Sequence, residues 1–112
     1  MGVYQDRCVE AIGTCTAAAE RCAACCGTSA DVERERCAVL GRDCADVGRL
    51  AEALVLRNSR YAAEACTLHA TTCEAFADYC AKWPKENCCK AAMLAARACA
   101  RACRLVGTGQ AA

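Results

Sequence analysis

The sequence predicts an all-α protein, an antiparallel up-down-up-down four-helix bundle with a cysteine-lined core. Three observations support this fold. The 112 residues are 56% hydrophobic and 24% charged with a single proline, a composition that favours a folded chain over a disordered one. Turn signals divide the chain into four segments of helical length. Fourteen cysteines recur at spacings that place side chains on one face of a helix.

The first two helices are predicted at about residues 3–26 and 29–57. Good helix formers dominate both segments, and apolar residues recur at helical spacing. A glycine follows the first segment and ends it. Thr28 and Ser29 supply a candidate N-cap for the second helix, with Asp31 as the acidic partner three residues after Thr28.

The last two helices are predicted at about residues 59–82 and 84–106. Asn58 is a turn residue before the third helix. Pro84 suits the first turn of the fourth helix. Proline has no backbone N–H, and an N–H in the first turn has no hydrogen-bond partner within the helix. The glycine-containing tail 107–112 is predicted to be loose.

Short turns between the four helices make neighbouring helices antiparallel, and residues 1–112 are predicted to form one domain. The alternative architecture is an extended pair of helical hairpins that is completed by oligomerisation.

The charge balance and the first residues exclude several functional classes. The formal net charge is +1 with both signs interleaved, so we expect no nucleic-acid partner and no anionic membrane partner. No run of 18 apolar residues occurs, and the first residues have no signal-peptide pattern. Asp6 stands where an N-myristoylation motif has a hydroxyl residue. The expected compartment is therefore the cytoplasm, where thiols stay reduced.

The cysteines form rows along the predicted helices. The seven-residue spacing recurs in three segments, and Cys22/Cys26 and Cys99/Cys103 are two-thiol clamps one helical turn long. Adjacent cysteines point about 100° apart on a helix and cannot both face the axis. Cys26 is therefore predicted inside the stripe and Cys25 beside it. The candidate metal ligands are Cys8, Cys15, Cys22, Cys25, Cys26, Cys37, Cys44, Cys66, His69, Cys73, Cys80, Cys88, Cys89, Cys99 and Cys103.

Of these ligands, Cys88 and Cys89 straddle the stripe of the fourth helix and are expected to frame one end of the bundle. His69 lies within the inner stripe of the third helix, where it is either a satisfied core histidine or an extra ligand. Met93 lies off the stripe and is expected to pack at a bundle edge. Phe76, in line between Cys73 and Cys80, is expected to fill the core.

Two structural roles compete with metal binding. Cysteine often acts as a small buried hydrophobe, but alanine packs as well without the risk of oxidation, so packing alone does not account for fourteen. A disulfide framework is the second role. Cysteines seven apart on one helix are about 10 Å apart, beyond the roughly 7 Å Cα limit for a bridge, so every bridge would have to cross between helices. A structural bundle stapled by disulfides remains an alternative.

The charge of the ion favours Cu(I). Zinc held by four thiolates leaves two net negative charges, which are costly to bury repeatedly. Cu(I) bound by bridging thiolates gives a neutral core, and soft thiolates favour this ion. Binding would release about one proton per thiol. Sequestration of Zn(II) or Cd(II) remains an alternative. Cys22-Ala23-Ala24-Cys25 has the two-residue spacing found in iron–sulfur sites, but one such pair is weak evidence for a cluster.

Enzymatic function is not expected. A nucleophilic cysteine needs a general base, and the sequence has a single histidine for that role. The Glu-x-x-His pairs of di-iron bundles are absent from the sequence.

Two motifs and the cysteine rows resemble a known family. Cys22-Ala23-Ala24-Cys25 and Cys99-Ala100-Arg101-Ala102-Cys103 resemble the Cys-Ala-x-x-Cys and Cys-x-x-x-Cys turns of the bacterial four-helix-bundle copper storage proteins. The resemblance extends over residues 3–106. It implies storage of many Cu(I) ions in thiolate clusters, loading through one end of the bundle, a homotetramer and a cytosolic location. Delivery of the metal by a copper chaperone remains open.

The sequence departs from the family in two places. Phe76 stands where the family often has a further cysteine, and Ala92 and Ala96 occupy inward positions that could have been thiols. We therefore expect a reduced capacity, and an interruption of a continuous chain of ions at the level of Phe76.

Overall fold

Four helices make up the part of the chain that the computed structural model describes, residues 2–109. They are α1 (Val3–Gly27), α2 (Val32–Leu56), α3 (Ala62–Cys80) and α4 (Asn87–Gly107). Each helix packs on its neighbours in sequence, and α1 also packs on α4, so antiparallel helices form a closed ring. The bundle measures 44 × 19 × 17 Å. The predicted all-α fold is confirmed, and residues 2–109 contain no strand.

Helix α2 begins three residues later than predicted. Its N-cap is Asp31, whose carboxylate accepts a hydrogen bond from the backbone N–H of Glu33 at 2.9 Å. Ser29 instead closes the turn before the helix, because its hydroxyl accepts from the N–H of Asp31 at 3.1 Å. The proposed cap at Thr28 and Ser29 is therefore wrong, and the acidic residue assigned as its partner is the cap itself.

The predicted starts of α3 and α4 are also too early. Asn58 has a φ of 52°, and α3 begins only at Ala62 after this left-handed turn. Pro84 does not open α4. It lies in a turn closed by the N–H of Glu86 donating to the carbonyl of Trp83 at 3.2 Å, and Glu86 is the N-cap residue of α4.

The C-terminal ends of the helices differ less from the predicted ones. Helix α3 ends at Cys80 rather than 82, and α4 extends one residue further than expected, to Gly107. Of the predicted loose tail, residues 110–112 lie outside the described residues.

The core consists mainly of alanine and cysteine. The largest fully buried side chains are Phe76, Ile12 and His69, followed by cysteines. Small side chains let the four helices approach closely, so sulfur atoms from different helices meet at the bundle axis. The fold therefore positions thiols where most helical bundles place leucine and isoleucine.

Charged side chains occupy the outer faces of the bundle and pair between helices. Arg104 of α4 contacts Glu74 of α3 at 2.5 Å, and Lys82 contacts Glu33 of α2 at 3.0 Å. These pairs are half-exposed, so each contributes little to stability. Within residues 2–109, no helix has the length and apolar character needed to cross a lipid bilayer.

Candidate metal centre

Twelve of the fourteen cysteines are buried between the helices, and all fourteen are free thiols. The buried ones are each at most 1% exposed. As predicted, Cys26 is inside and Cys25 is exposed. Cys89 is as buried as the cysteines of the seven-residue rows, whereas Cys88 is half-buried. The predicted set of inward thiols is thus brought together, with Cys25 and Cys88 at its margin.

Seven of these thiols surround a histidine, and we call this group the histidine cluster. It consists of His69 with Cys8, Cys15, Cys44, Cys66, Cys73, Cys99 and Cys103. The Sγ atom of Cys8 lies 3.6 Å from that of Cys103 and 3.8 Å from that of Cys66. The Sγ atoms of Cys44 and Cys73 are 3.7 Å apart. Four helices thus contribute sulfur to one buried cluster.

His69 joins two parts of the histidine cluster. Its ring lies within reach of Cys15, Cys44 and Cys73 on one side and of Cys99 and Cys103 on the other, with ligand atoms in each group within 4.8 Å of one another. The imidazole therefore makes one continuous set of donor atoms from thiols that lie at two levels of the bundle.

The hydrogen bonds of His69 indicate which ring nitrogen carries the proton. The hydroxyl of Thr72 donates to the His69 carbonyl at 2.8 Å, so its oxygen accepts from Nδ1–H at 3.3 Å. Nε2 then carries the lone pair and lies 3.5 Å from the Sγ of Cys73. A second partner that fixes the tautomer in this way is typical of metal-ligating histidines. Both ring nitrogens of His69 thus have a hydrogen-bond partner, and Nε2 becomes a donor atom for a metal once the Cys73 thiol loses its proton.

Two glycines of α2 make room for the two large residues of α3, and sequence reasoning missed both. A Cβ at Gly48 would lie 2.9 Å from Cε1 of His69, and one at Gly41 would lie 3.1 Å from Cε1 of Phe76. The glycines are seven residues apart, as are His69 and Phe76. The two glycines also lie on the same stripe of α2 as Cys37 and Cys44. This matching spacing was the sequence signal that could have indicated the two glycine contacts.

The other seven thiols gather at the opposite end of the bundle, where α1 ends and α4 begins, and we call them the arginine cluster. They are Cys22, Cys25, Cys26, Cys37, Cys80, Cys88 and Cys89. The Sγ–Sγ distances are 3.6 Å for Cys37 and Cys80 and 3.7 Å for Cys26 and Cys89. Cys22, Cys26, Cys37 and Cys89 form a four-thiol group with sulfurs within 4.8 Å.

Arg34 of α2 contacts this second cluster and was not identified from the sequence. Its Nη2 donates to the Sγ of Cys25 at 3.5 Å and to that of Cys26 at 3.7 Å, and Nη1 lies 3.8 Å from Glu86. The hydrogen bond to Cys26 raises the pKa of the guanidinium above its usual range. The contact depends on the turn geometry at Asp31, so no sequence spacing indicated it. Arg34 thus places a fixed positive charge beside two candidate ligands at this end of the bundle.

Each cluster has a thiol that ionises readily. Hydrogen bonds from Cys22 and Cys80 lower the pKa of Cys37 to about 4. Hydrogen bonds from Cys103 and Cys8 lower the pKa of Cys66 to about 4. Hydrogen bonds with Cys103 and Cys66 raise the pKa of Cys8, and hydrogen bonds with Cys22 and Cys37 raise the pKa of Cys80. In the histidine cluster, hydrogen bonds from Cys44 and Cys73 also lower the pKa of Cys15. Both clusters therefore offer thiolates as first ligands among protonated thiols.

The sulfur spacing fits ions that bridge between thiolates. With a metal–sulfur bond of about 2.3 Å, as in thiolate-bound zinc, one ion joins sulfurs up to about 4.6 Å apart. The closest contacts between clustered sulfurs range from 3.6 Å for Cys8 and Cys103 to 4.0 Å for Cys15 and Cys44. Soft, polarisable sulfur donors in a dry interior favour a soft ion of low charge.

A family model and three related proteins match this chain. The family model, described as copper storage protein (Csp), matches residues 3–108. An uncharacterized cysteine-rich protein of Bacillus subtilis, YhjQ, is 33% identical over 105 residues, covering 93% of this chain and 96% of its own length. The match thus extends over the whole bundle.

Two solved structures have the same fold. The Cu(I)-bound copper storage protein BsCsp3 has a TM-score of 0.84 and 33% identity, with 97% of this chain and 99% of that chain covered. A cytosolic copper storage protein from Streptomyces lividans, in a structure with five coppers, has a TM-score of 0.87 and 28% identity, with 95% and 93% covered. The chain belongs to the copper storage protein family.

Proposed function

We propose that this chain stores Cu(I) by holding several ions in its thiol core. The observation that carries the proposal is the contact of buried free thiols from four helices, with Sγ–Sγ distances such as 3.6 Å for Cys8 and Cys103. The Cu(I)-bound relative and the relative with five coppers support the choice of ion. The ligands we assign are all fourteen cysteines together with Nε2 of His69.

Uptake exchanges protons for Cu(I), so the filled core carries little net charge. Each entering ion forms bonds to thiolate sulfur, and each thiol that ionises releases its proton to solvent. Thiolates that bridge two ions then balance one positive charge with one negative charge per sulfur. The desolvation cost that burdens a buried divalent thiolate site is therefore avoided.

We assign the store to the cytosol, without a catalytic reaction of its own. The Streptomyces relative is described as cytosolic, and free thiols persist in that reducing compartment. We further propose a homotetramer as the assembly, and delivery of the ion by a copper chaperone through ligand exchange. No nucleic-acid or membrane partner is proposed.

The copper content of protein made in copper-supplemented cells tests this function. After anaerobic purification we expect several Cu(I) ions per chain, and close to fourteen free thiols once the protein is unfolded with a Cu(I) chelator. Protein from copper-depleted cells, with the same thiol count and little copper, is the matched control. At most two coppers per chain, or thiols already joined as disulfides, would contradict storage. Disulfides would favour a stapled structural bundle.

The four-thiol group of the arginine cluster favours Zn(II) or Cd(II) sequestration as a second candidate. Cys22, Cys26, Cys37 and Cys89 meet within 4.8 Å, a ligand set that suits a tetrahedral divalent ion. This function predicts about one ion per four thiols, and binding that survives a Cu(I)-selective chelator. Loss of all bound metal to that chelator would exclude it.

A further inference from the structure

Phe76 separates the two thiol clusters. Its side chain is fully buried on α3, between Cys73 of the histidine cluster and Cys80 of the arginine cluster. The ring lies against Gly41 of α2, where an added Cβ would be 3.1 Å from Cε1 of Phe76 and 3.2 Å from the carbonyl oxygen of Ala19 on α1. The ring therefore fills the space between helices at this level of the bundle.

Within residues 2–109, the other helices contribute no thiol or imidazole to the same layer. The buried residues between the thiols of each helix include Ala19 of α1, Gly41 of α2, and Ala92 and Ala96 of α4. Met93 is the remaining sulfur-containing residue nearby, and it is only partly buried at the margin of the core. A copper ion at this level would find no thiolate to neutralise its charge.

The gap is too wide for one ion to bridge. Cys73 and Cys80 are one seven-residue step apart, about 10 Å along the helix axis, whereas an ion joins sulfurs up to about 4.6 Å apart. Among residues 2–109, the sulfur contacts within 4.0 Å all lie inside one cluster or the other. The thiol core is thus two sets of seven.

The two sets differ in their access to solvent. The arginine cluster includes the exposed Cys25 and the half-buried Cys88. Every cysteine of the histidine cluster is at most 1% exposed, and the far end of the bundle is closed by apolar residues such as Val55 and Val106, 2% and 8% exposed. An ion arriving from solvent therefore meets the arginine cluster first.

We propose that Phe76, seated on Gly41, divides the core into two separate Cu(I) stores, and that the arginine cluster fills before the histidine cluster. This inference rests on the proposed storage function and adds an order of loading. The histidine cluster then fills only when the packing around Phe76 or the closed end opens transiently, so its ions enter and leave more slowly.

Mapping of protected cysteines at partial loading tests the division. Reduced, metal-free protein is mixed anaerobically with half as many Cu(I) ions as thiols and, after a short delay, is alkylated in denaturant, so that buried thiols without copper also react. The unmodified cysteines are located by mass spectrometry, and metal-free protein alkylated in the same way gives the baseline. We expect protection to be concentrated in the arginine cluster. In Phe76→Cys, the new thiol lies between the two clusters and connects them. We expect cysteines of both clusters to be protected to the same extent in this variant.

Two variants serve as controls. Phe76→Leu keeps an apolar plug, and Met93→Leu removes the nearby thioether, so both should retain the unequal protection of the parent chain. Even protection of the two clusters in the parent chain would overturn the division while leaving storage intact, as would equal behaviour of the parent and Phe76→Cys. Uptake of no more than one ion would instead overturn the proposed function itself.

Discussion

Acidification is expected to weaken Cu(I) binding by about tenfold per pH unit for each proton that an ion displaces. The pKa of Cys44 is raised to about 12, chiefly by its hydrogen bond with Cys15, and burial raises the pKa of Cys88 to about 12. Such thiols keep their protons at neutral pH, so Cu(I) must displace them. Affinity should therefore rise with pH throughout the range from about 5 to 9.

The thiols with lowered pKa values behave differently. Cys37 and Cys66 have pKa values of about 4, and hydrogen bonds from Cys44 and Cys73 lower the pKa of Cys15 as well. These three thiols are already ionised at neutral pH and release no proton there. Their contribution to affinity is lost only as the pH falls towards 4. The number of protons released on full loading at pH 7.5 should consequently be smaller than the number of cysteines.

Proton release in weakly buffered solution, followed with a pH indicator during Cu(I) addition, measures this directly. Cys88→Ala should release about one proton fewer than the parent chain, because Cys88 binds by losing a proton. Cys37→Ala is the matched control and should release nearly as many as the parent. Affinity that stays constant between pH 5.5 and pH 7.5, in competition with a chelator of known protonation, would contradict the exchange of protons for copper.

Two Gly→Ala substitutions in helices are expected to have opposite effects on the free energy of unfolding. Gly48→Ala should destabilise the metal-free protein by about 1–3 kcal/mol, because its Cβ would lie 2.9 Å from His69 Cε1 and 2.9 Å from Thr16 Oγ1. Gly13→Ala should stabilise it by up to about 1 kcal/mol, because alanine is the better helix former and the nearest atom, Oε2 of Glu52, is 3.9 Å away.

Urea unfolding of the reduced, metal-free variants gives the comparison. Both substitutions gain the same helix propensity, so the difference between them reports the packing of His69 and Thr16 against Gly48. Equal stability of the two variants would mean that the histidine is not wedged against Gly48. The Gly48 variant should also lose Cu(I) affinity, since a displaced imidazole no longer links the two parts of the histidine cluster.

The sequence was sufficient to predict the four helices and the residues that face the axis. Both follow from periodicity, because a row such as Cys66, Cys73 and Cys80 has a single helical face to occupy and the surrounding alanines allow close packing. The resemblance to copper storage proteins, which rested on the two cysteine motifs and on these rows, is confirmed by the family match over residues 3–108.

Features that depend on turns and on contacts between helices could not be predicted in this way. Asp31 caps α2 because its carboxylate reaches the N–H of Glu33, whereas Ser29 is used in the preceding turn. Arg34 reaches Cys25 and Cys26 only because this turn brings the start of α2 beside the end of α1. The periodicity of a sequence describes a single helix and carries no information on contacts between one helix and another.

The pairing of Gly41 with Phe76 and of Gly48 with His69 has the same origin. Each glycine alone is an unfavourable residue in a helix, and its reason lies in the bulk of a side chain on the neighbouring helix. The two pairs alternate with levels of thiols along α2 and α3. These pairs determine at which levels of the bundle the thiols contact one another and at which level a hydrocarbon side chain separates them.

Titration of the reduced protein with Cu(I), in the presence of a competing Cu(I) chelator, tests collective binding by the buried thiols most directly. The predicted result is tight uptake of many ions, approaching about one per cysteine, before the chelator begins to bind copper. Saturation at one or two ions per chain, with the fourteen thiols reduced and free, would contradict it.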